Sequence, residues 1–129
     1  SQILEDIAVM LKEKETNSNI HFFVFGDVES QIVRQSEYFH ILGPYTLQNM
    51  TTLIDKYRID GVLFTSICPE TFSYVTQEVI ACHLPIILFN LGGSAEQAKQ
   101  YDNSYLVNEV NAHALFAEIK KFKKVLLHT

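Results

Sequence analysis

Five short blocks of β-forming residues recur along this chain: Ile20–Phe25, Tyr38–Leu42, Gly61–Phe64, Pro85–Phe89 and Ser104–Val107. Several are apolar without interruption, as in Phe22-Phe23-Val24-Phe25 and Ile86-Ile87-Leu88-Phe89. A strand with one wet face would alternate; unbroken hydrophobicity suits a strand covered on both sides, the condition inside a parallel sheet. Parallel strands need crossover connections, and the segments between the blocks supply them. Ile3, Ile7, Met10 and Leu11 form one apolar helical stripe, and Leu47, Met50, Leu53, Ile54 and Tyr57 a second, with Thr46 as its N-cap. Val75, Val79 and Ile80 form a third, and a short helix is expected around Glu29–Ser36. A fourth stripe opens at Gly93, where Ser94 and Gln97 match capping-box spacing, and the last runs from Asn111 through Leu115, Phe116 and Ile119. Strand and helix alternate with no linker or repeat, which predicts an α/β domain: a three-layer, doubly wound, Rossmann-like parallel sheet.

The chain opens on a helix, whereas a doubly wound unit starts with a central strand. The expectation is an excerpt, residues 1–129 forming one domain of a longer protein whose first strand precedes Ser1. That strand would lie between 20–25 and 61–64; without it, these two would pair directly or another chain would fill the gap.

A net charge of −5 disfavours a nucleic-acid partner, which needs a basic face. Lys120, Lys121, Lys123 and Lys124 read as the solvated last turns of the final helix. The two cysteines, Cys68 and Cys82, show no metal or redox spacing, so a reduced, cytoplasmic setting is expected. No apolar run reaches the roughly 18–20 residues of a membrane helix. The five histidines form no metal spacing; His21 and His40 fall in strands and read as structural.

The residues between Asp60 and Glu96 carry most of the chemistry. Glu70 follows the third block and Glu78 lies eight positions further on, about 12 Å away if the interval is helical. Both would stand near the carboxyl ends of the strands, where ligands of open α/β sheets bind. They can hold hydroxyl groups of a ligand, or be a dipole-favoured acid at a helix start and a solvated helix residue. Gly92-Gly93 follows a strand and opens a helix, which is either an anion-accepting turn or a plain one. Glu96 would reach a substrate hydroxyl or complement the dipole. Gly43 ends a strand, and Tyr45 beyond it is rim packing or a rest for a nucleobase.

Taken together, Asp60–Ser66, Pro69-Glu70-Thr71-Phe72-Ser73-Tyr74, Glu78, Pro85-Ile86-Ile87 and Gly92-Gly93-Ser94-Ala95-Glu96 resemble the C-terminal, donor-binding domain of group 1 retaining glycosyltransferases of the GT-B fold. The resemblance covers nearly the whole chain, and Glu70 and Glu78 match the family's paired-glutamate motif. It implies transfer of a hexose from a nucleotide-sugar to an acceptor with retained configuration, in a polysaccharide or glycolipid pathway and without a metal or other cofactor. Glu70 would lie beside the donor sugar and diphosphate as the catalytic carboxylate, and Glu78 would bind the ribose. Thr71, Phe72 and Ser73 would face the phosphates, while Gly43, Tyr45, Gly92, Gly93 and Glu96 would complete the donor site. The missing partner would be the N-terminal acceptor domain, which could also hold the protein against the inner face of a membrane.

One departure stands out. The family's arginine and lysine that balance the diphosphate would precede Ser1, and the loops Asp27–Ser30, Pro44–Thr46, Ile67–Thr71 and Leu91–Ser94 hold no Lys or Arg. This chain alone is therefore expected to be inactive. The competing readings are a degenerate, non-catalytic module of the same fold and a flavodoxin- or receiver-like regulatory domain. The latter fits poorly, because Asp27 stands alone and no lysine directly follows either of the last two strand blocks.

Overall fold

In the computed structural model, which describes residues 2–13, 20–25, 28–44, 47–65 and 77–128, six parallel strands form one sheet with helices on both faces. In chain order the elements are α1 (Gln2–Glu13), β1 (His21–Phe25), α2 (Gln31–Arg34), β2 (Phe39–Gly43), α3 (Leu47–Tyr57) and β3 (Gly61–Phe64). There follow a helical segment at 77–81 (α4), β4 (Ile86–Phe89), α5 (Gly92–Ala98), β5 (Ser104–Val107), α6 (Ala112–Ile119) and β6 (Lys124–His128). The strand order is β2-β1-β6-β3-β4-β5.

All five expected strands are present within a residue of their anticipated bounds. The core explains why their sequences do not alternate. Phe22, Val24, Leu63, Ile87, Val125 and Leu127 pack with α1, α2 and α6 on one face. Phe23, Val62, Phe64, Ile86, Leu88 and Leu126 pack with α3, α4 and α5 on the other. Crossovers toward β5 pass over the second face and those toward β2 over the first, so every connection has the same hand, as twisted parallel sheets require. Asn111 caps α6 as its sequence indicates, accepting from the Ala114 N–H at 2.8 Å. α3 and α4 end alike, on Arg58 (φ 54°) and His83 (φ 58°) in the left-handed region. The Ile59 and Leu84 N–H groups then return to the carbonyls of Ile54 and Val79, closing both helices.

The sixth strand corrects two expectations. Lys120–Lys124 is not the end of a helix: α6 stops at Ile119, Lys120 caps it, and Lys124 opens β6. Nor do β1 and β3 meet, or wait for another chain. β6 lies between them, Lys124–Leu127 opposite His21–Val24 and Val125–His128 opposite Gly61–Phe64. Asp60 sets this register. Its carboxylate accepts from the N–H groups of Lys123 and Lys124 at 3.2 and 3.0 Å, and its own N–H donates to the Lys124 carbonyl at 2.7 Å. Phe122 packs over Gly61, where a β-carbon would stand in ordinary contact with its ring at 3.5 Å.

At the β2 edge, His21 Nδ1 and His40 Nε2 lie 2.9 Å apart, so one imidazole donates to the other. Phe23 stacks on His40 at 4.9 Å between ring centres. Desolvation and then the neighbouring His21 lower the proton affinity of His40.

Two outcomes are expected. Leu126→Ala, in a strand that is central rather than frayed, should cost about 2–5 kcal/mol in urea unfolding, and a chain ending at Phe122 should give the collapsed amide spectrum of an unfolded protein. As for pH, the folded state holds a proton on His40 less readily than the unfolded chain does. The stabilisation is therefore full above the ordinary imidazole range and is lost as the pH falls through about 6.5 and below. Urea midpoints at pH 7.5 and 5.5 should differ less in His40→Gln than in the parent; an equal difference would remove His40 from the account.

Candidate functional site

The carboxyl ends of the strands form one rim of the sheet, and the helices that follow start there. Gly43 ends β2 at φ 82°, a left-handed conformation that favours glycine, and turns the chain toward α3. β1 carries a register shift between Val24 and Phe25, so that Phe25 pairs with Gly43. The Asn90 N–H donates to the Val107 carbonyl at 2.8 Å, tying the end of β4 to the end of β5 just before the glycine turn.

α5 begins at Gly92, with Leu91 in the N-cap position and contributing no side-chain cap. This corrects the capping-box expectation: Ser94 is the third helical residue, not the cap. Gly92 and Gly93 thus supply the first N–H groups of the helix on the carboxyl rim.

Glu78 lies on α4, half-exposed, and its Oε2 accepts a long hydrogen bond of 3.5 Å from the Thr51 hydroxyl of α3. α4 packs through Val79 and α5 through Ala98 on the same face of the sheet, so Glu78 and the glycine turn belong to one side of the molecule. Beside Glu78, the Cys82 thiol is pushed above its ordinary value by burial, then by Asp55 and Glu78, with a Thr51 hydrogen bond acting the other way. A thiol so held is a poor nucleophile. Glu96 is 73% exposed and pairs with Lys99 at 2.9 Å, the geometry of a surface helix pair. Tyr45, Glu70, Thr71, Phe72 and Ser73, together with the Thr46 cap, lie outside the described residues.

Two features of the rim escaped the sequence reading. The Arg34 guanidinium, at the end of α2, donates to the Val28 carbonyl and so brings a cation to the loop after β1. Counting Lys and Arg within loops alone could not reveal a side chain that folds back onto one. The second feature is a set of amides: Asn90 Nδ2 donates to Asn108 Oδ1 at 3.0 Å, and Asn111 Nδ2 to Glu109 Oε2 at 3.2 Å. Their common signal was an asparagine or acid directly after each of the last two strand blocks. Carboxylates and amides on a parallel-sheet rim can hold the hydroxyl groups of a polyol ligand; the described rim is less equipped to neutralise a bare polyanion.

Among the described residues no helix is long and apolar enough to cross a membrane. The family model described as glycosyl transferases group 1 matches residues 3–125, while no curated protein and no solved structure matches. The match takes in both faces of the core and all six strands up to the start of β6, and the all-parallel, three-layer architecture is consistent with the C-terminal domain of a GT-B enzyme. The chain belongs to the group 1 glycosyltransferase family.

Proposed function

We propose that this chain is the donor-binding domain of a retaining glycosyltransferase, one half of a two-domain enzyme that transfers a hexose from a nucleotide-sugar without a metal. The observation that carries the reading is the family match from α1 to β6, with Glu78 and the Gly92–Gly93 turn on helices of one face. Glu78 binds the ribose: a carboxylate accepts from two vicinal hydroxyls, and the Thr51 hydroxyl steadies its second oxygen. Gly92 and Gly93 let the ligand approach the backbone, and Glu96 is free to exchange its exposed lysine pair for a substrate hydroxyl.

The remaining roles follow the paired-glutamate motif. Glu70 is the catalytic carboxylate beside the donor sugar, Thr71, Phe72 and Ser73 face the diphosphate, and Gly43 and Tyr45 flank the base. The acceptor half of the site comes from an N-terminal domain that also excludes water on closure. Hence the chain alone is inactive and binds nucleotides weakly. It acts in polysaccharide or glycolipid synthesis at the cytoplasmic side.

Titration of the labelled chain with UDP and GDP, followed by amide chemical shifts, should give dissociation constants in the millimolar range. Glu78→Ala should weaken the better of the two roughly tenfold, the value of one charged hydrogen bond. Micromolar binding by the parent would contradict the half-site reading, and an unchanged affinity in Glu78→Ala would remove the ribose role.

A further inference from the structure

The run Lys120-Lys121-Phe122-Lys123-Lys124 takes no part in the carboxyl rim. α6 stops at Ile119 and β6 opens at Lys124, so the run is the turn by which the chain enters the sheet at its amino end. Lys120, Lys121 and Lys123 are exposed, and Lys124 is half-buried. Arg58, also exposed, stands at the same end, two residues ahead of Asp60 and the entry to the neighbouring β3. Two carboxylates touch this group of cations. Asp60 already accepts the Lys123 and Lys124 N–H groups, and Glu118 meets Lys121 only at 3.9 Å. The rings nearby face the protein. Phe122 packs over Gly61 and meets Tyr105 edge-on at 5.9 Å between ring centres, while the Lys121 ammonium lies 3.8 Å from the centre of the Tyr105 ring. Neither ring is an open platform for stacking a nucleobase, which disfavours a single-stranded nucleic acid as the partner.

We propose that this turn is a docking surface for an anionic phospholipid bilayer, its ammonium groups lying among the charged headgroups. Each lysine held near such a surface strengthens binding about fivefold. The net charge of −5 does not decide against it, because the charges are separated along the strands. Glu29 and Glu109 follow β1 and β5, at the carboxyl rim. A five-residue strand such as β6 is about 16 Å long, twice the screening length of about 8 Å at physiological ionic strength. Acids of the far rim are therefore screened from a membrane that touches the amino end. The same polarity orients the domain, with its carboxyl rim turned away from the bilayer. This surface belongs to the chain itself and does not depend on the donor-site reading.

Co-sedimentation with phosphatidylcholine vesicles, with and without phosphatidylglycerol, tests the assignment at low and physiological ionic strength. The parent should bind the anionic vesicles alone, and more weakly as salt is added. Lys120→Gln and Lys123→Gln should each weaken that binding about fivefold. Lys99→Gln removes the same charge from α5, where it is paired with Glu96, and should leave binding nearly unchanged. Thermal unfolding checks each variant, and the parent's lipid and salt dependence decides the matter should a variant fail to fold. No binding to anionic vesicles, equal binding to neutral ones, or an equal loss in Lys99→Gln overturns the docking surface. Tighter binding to single-stranded RNA than to the vesicles overturns the choice of a lipid partner.

Discussion

The paired backbone contacts of Asp60 with Lys123 and Lys124 are the join on which the sheet depends. Without β6, the strands β2 and β1 would form one narrow ribbon and β3, β4 and β5 another, with facing edges whose N–H and C=O groups had no partners. Inserting one strand satisfies both edges. It also unites the apolar layers, because Val125 and Leu127 enter one core and Leu126 the other, each buried to within 1%. Three consecutive residues thus serve two cores, which is possible only for a strand covered on both sides.

That strand was hidden in the sequence for a definite reason. Lys120, Lys121, Lys123 and Lys124 continue the spacing of a helix that already had a cap at Asn111 and a stripe through Ile119, and basic residues suit a helix end. No glycine or proline marks the stop. What ends the helix is tertiary: Phe122 packs on Gly61, and Asp60 takes the next two N–H groups out of helical pairing. The local clue was Val125-Leu126-Leu127, an unbroken apolar run like those that identified the other strands. Elsewhere the pattern sufficed. The runs at 22–25 and 86–89 declared parallel strands: Phe22, Phe23, Val24 and all four residues of 86–89 are needed on one face or the other, a demand that leaves little freedom in the sequence.

The site was legible to a lesser degree. Spacing placed Glu78 and the Gly92–Gly93 turn on elements that do share a face of the sheet, because the order strand-helix-strand-helix fixes the face once the hand of the crossover is known. Contacts between elements were not legible. Neither the Thr51 hydroxyl beside Glu78 nor the Asn90–Asn108 amide pair could be foreseen, since each joins residues from different crossovers.

The distribution of charge links fold to function. Lys12 and Lys56 occupy the last turns of α1 and α3, and four lysines surround the α6–β6 turn. Helix carboxyl ends attract cations, and every crossover helix of a parallel sheet puts that end away from the rim where ligands bind. The same dipoles that stabilise the lysines therefore draw them off the site, in a chain whose net charge is already −5. A domain built this way offers a ligand at the described rim more hydrogen-bond acceptors than counter-charges. An anionic ligand must then find its counter-charge in the few groups that break the trend, such as Arg34 folded back onto Val28, or bring it from a surface that closes over the rim. On the donor-domain reading proposed above, a domain of this composition would hold the sugar and ribose ends of a donor while another surface completes the electrostatics.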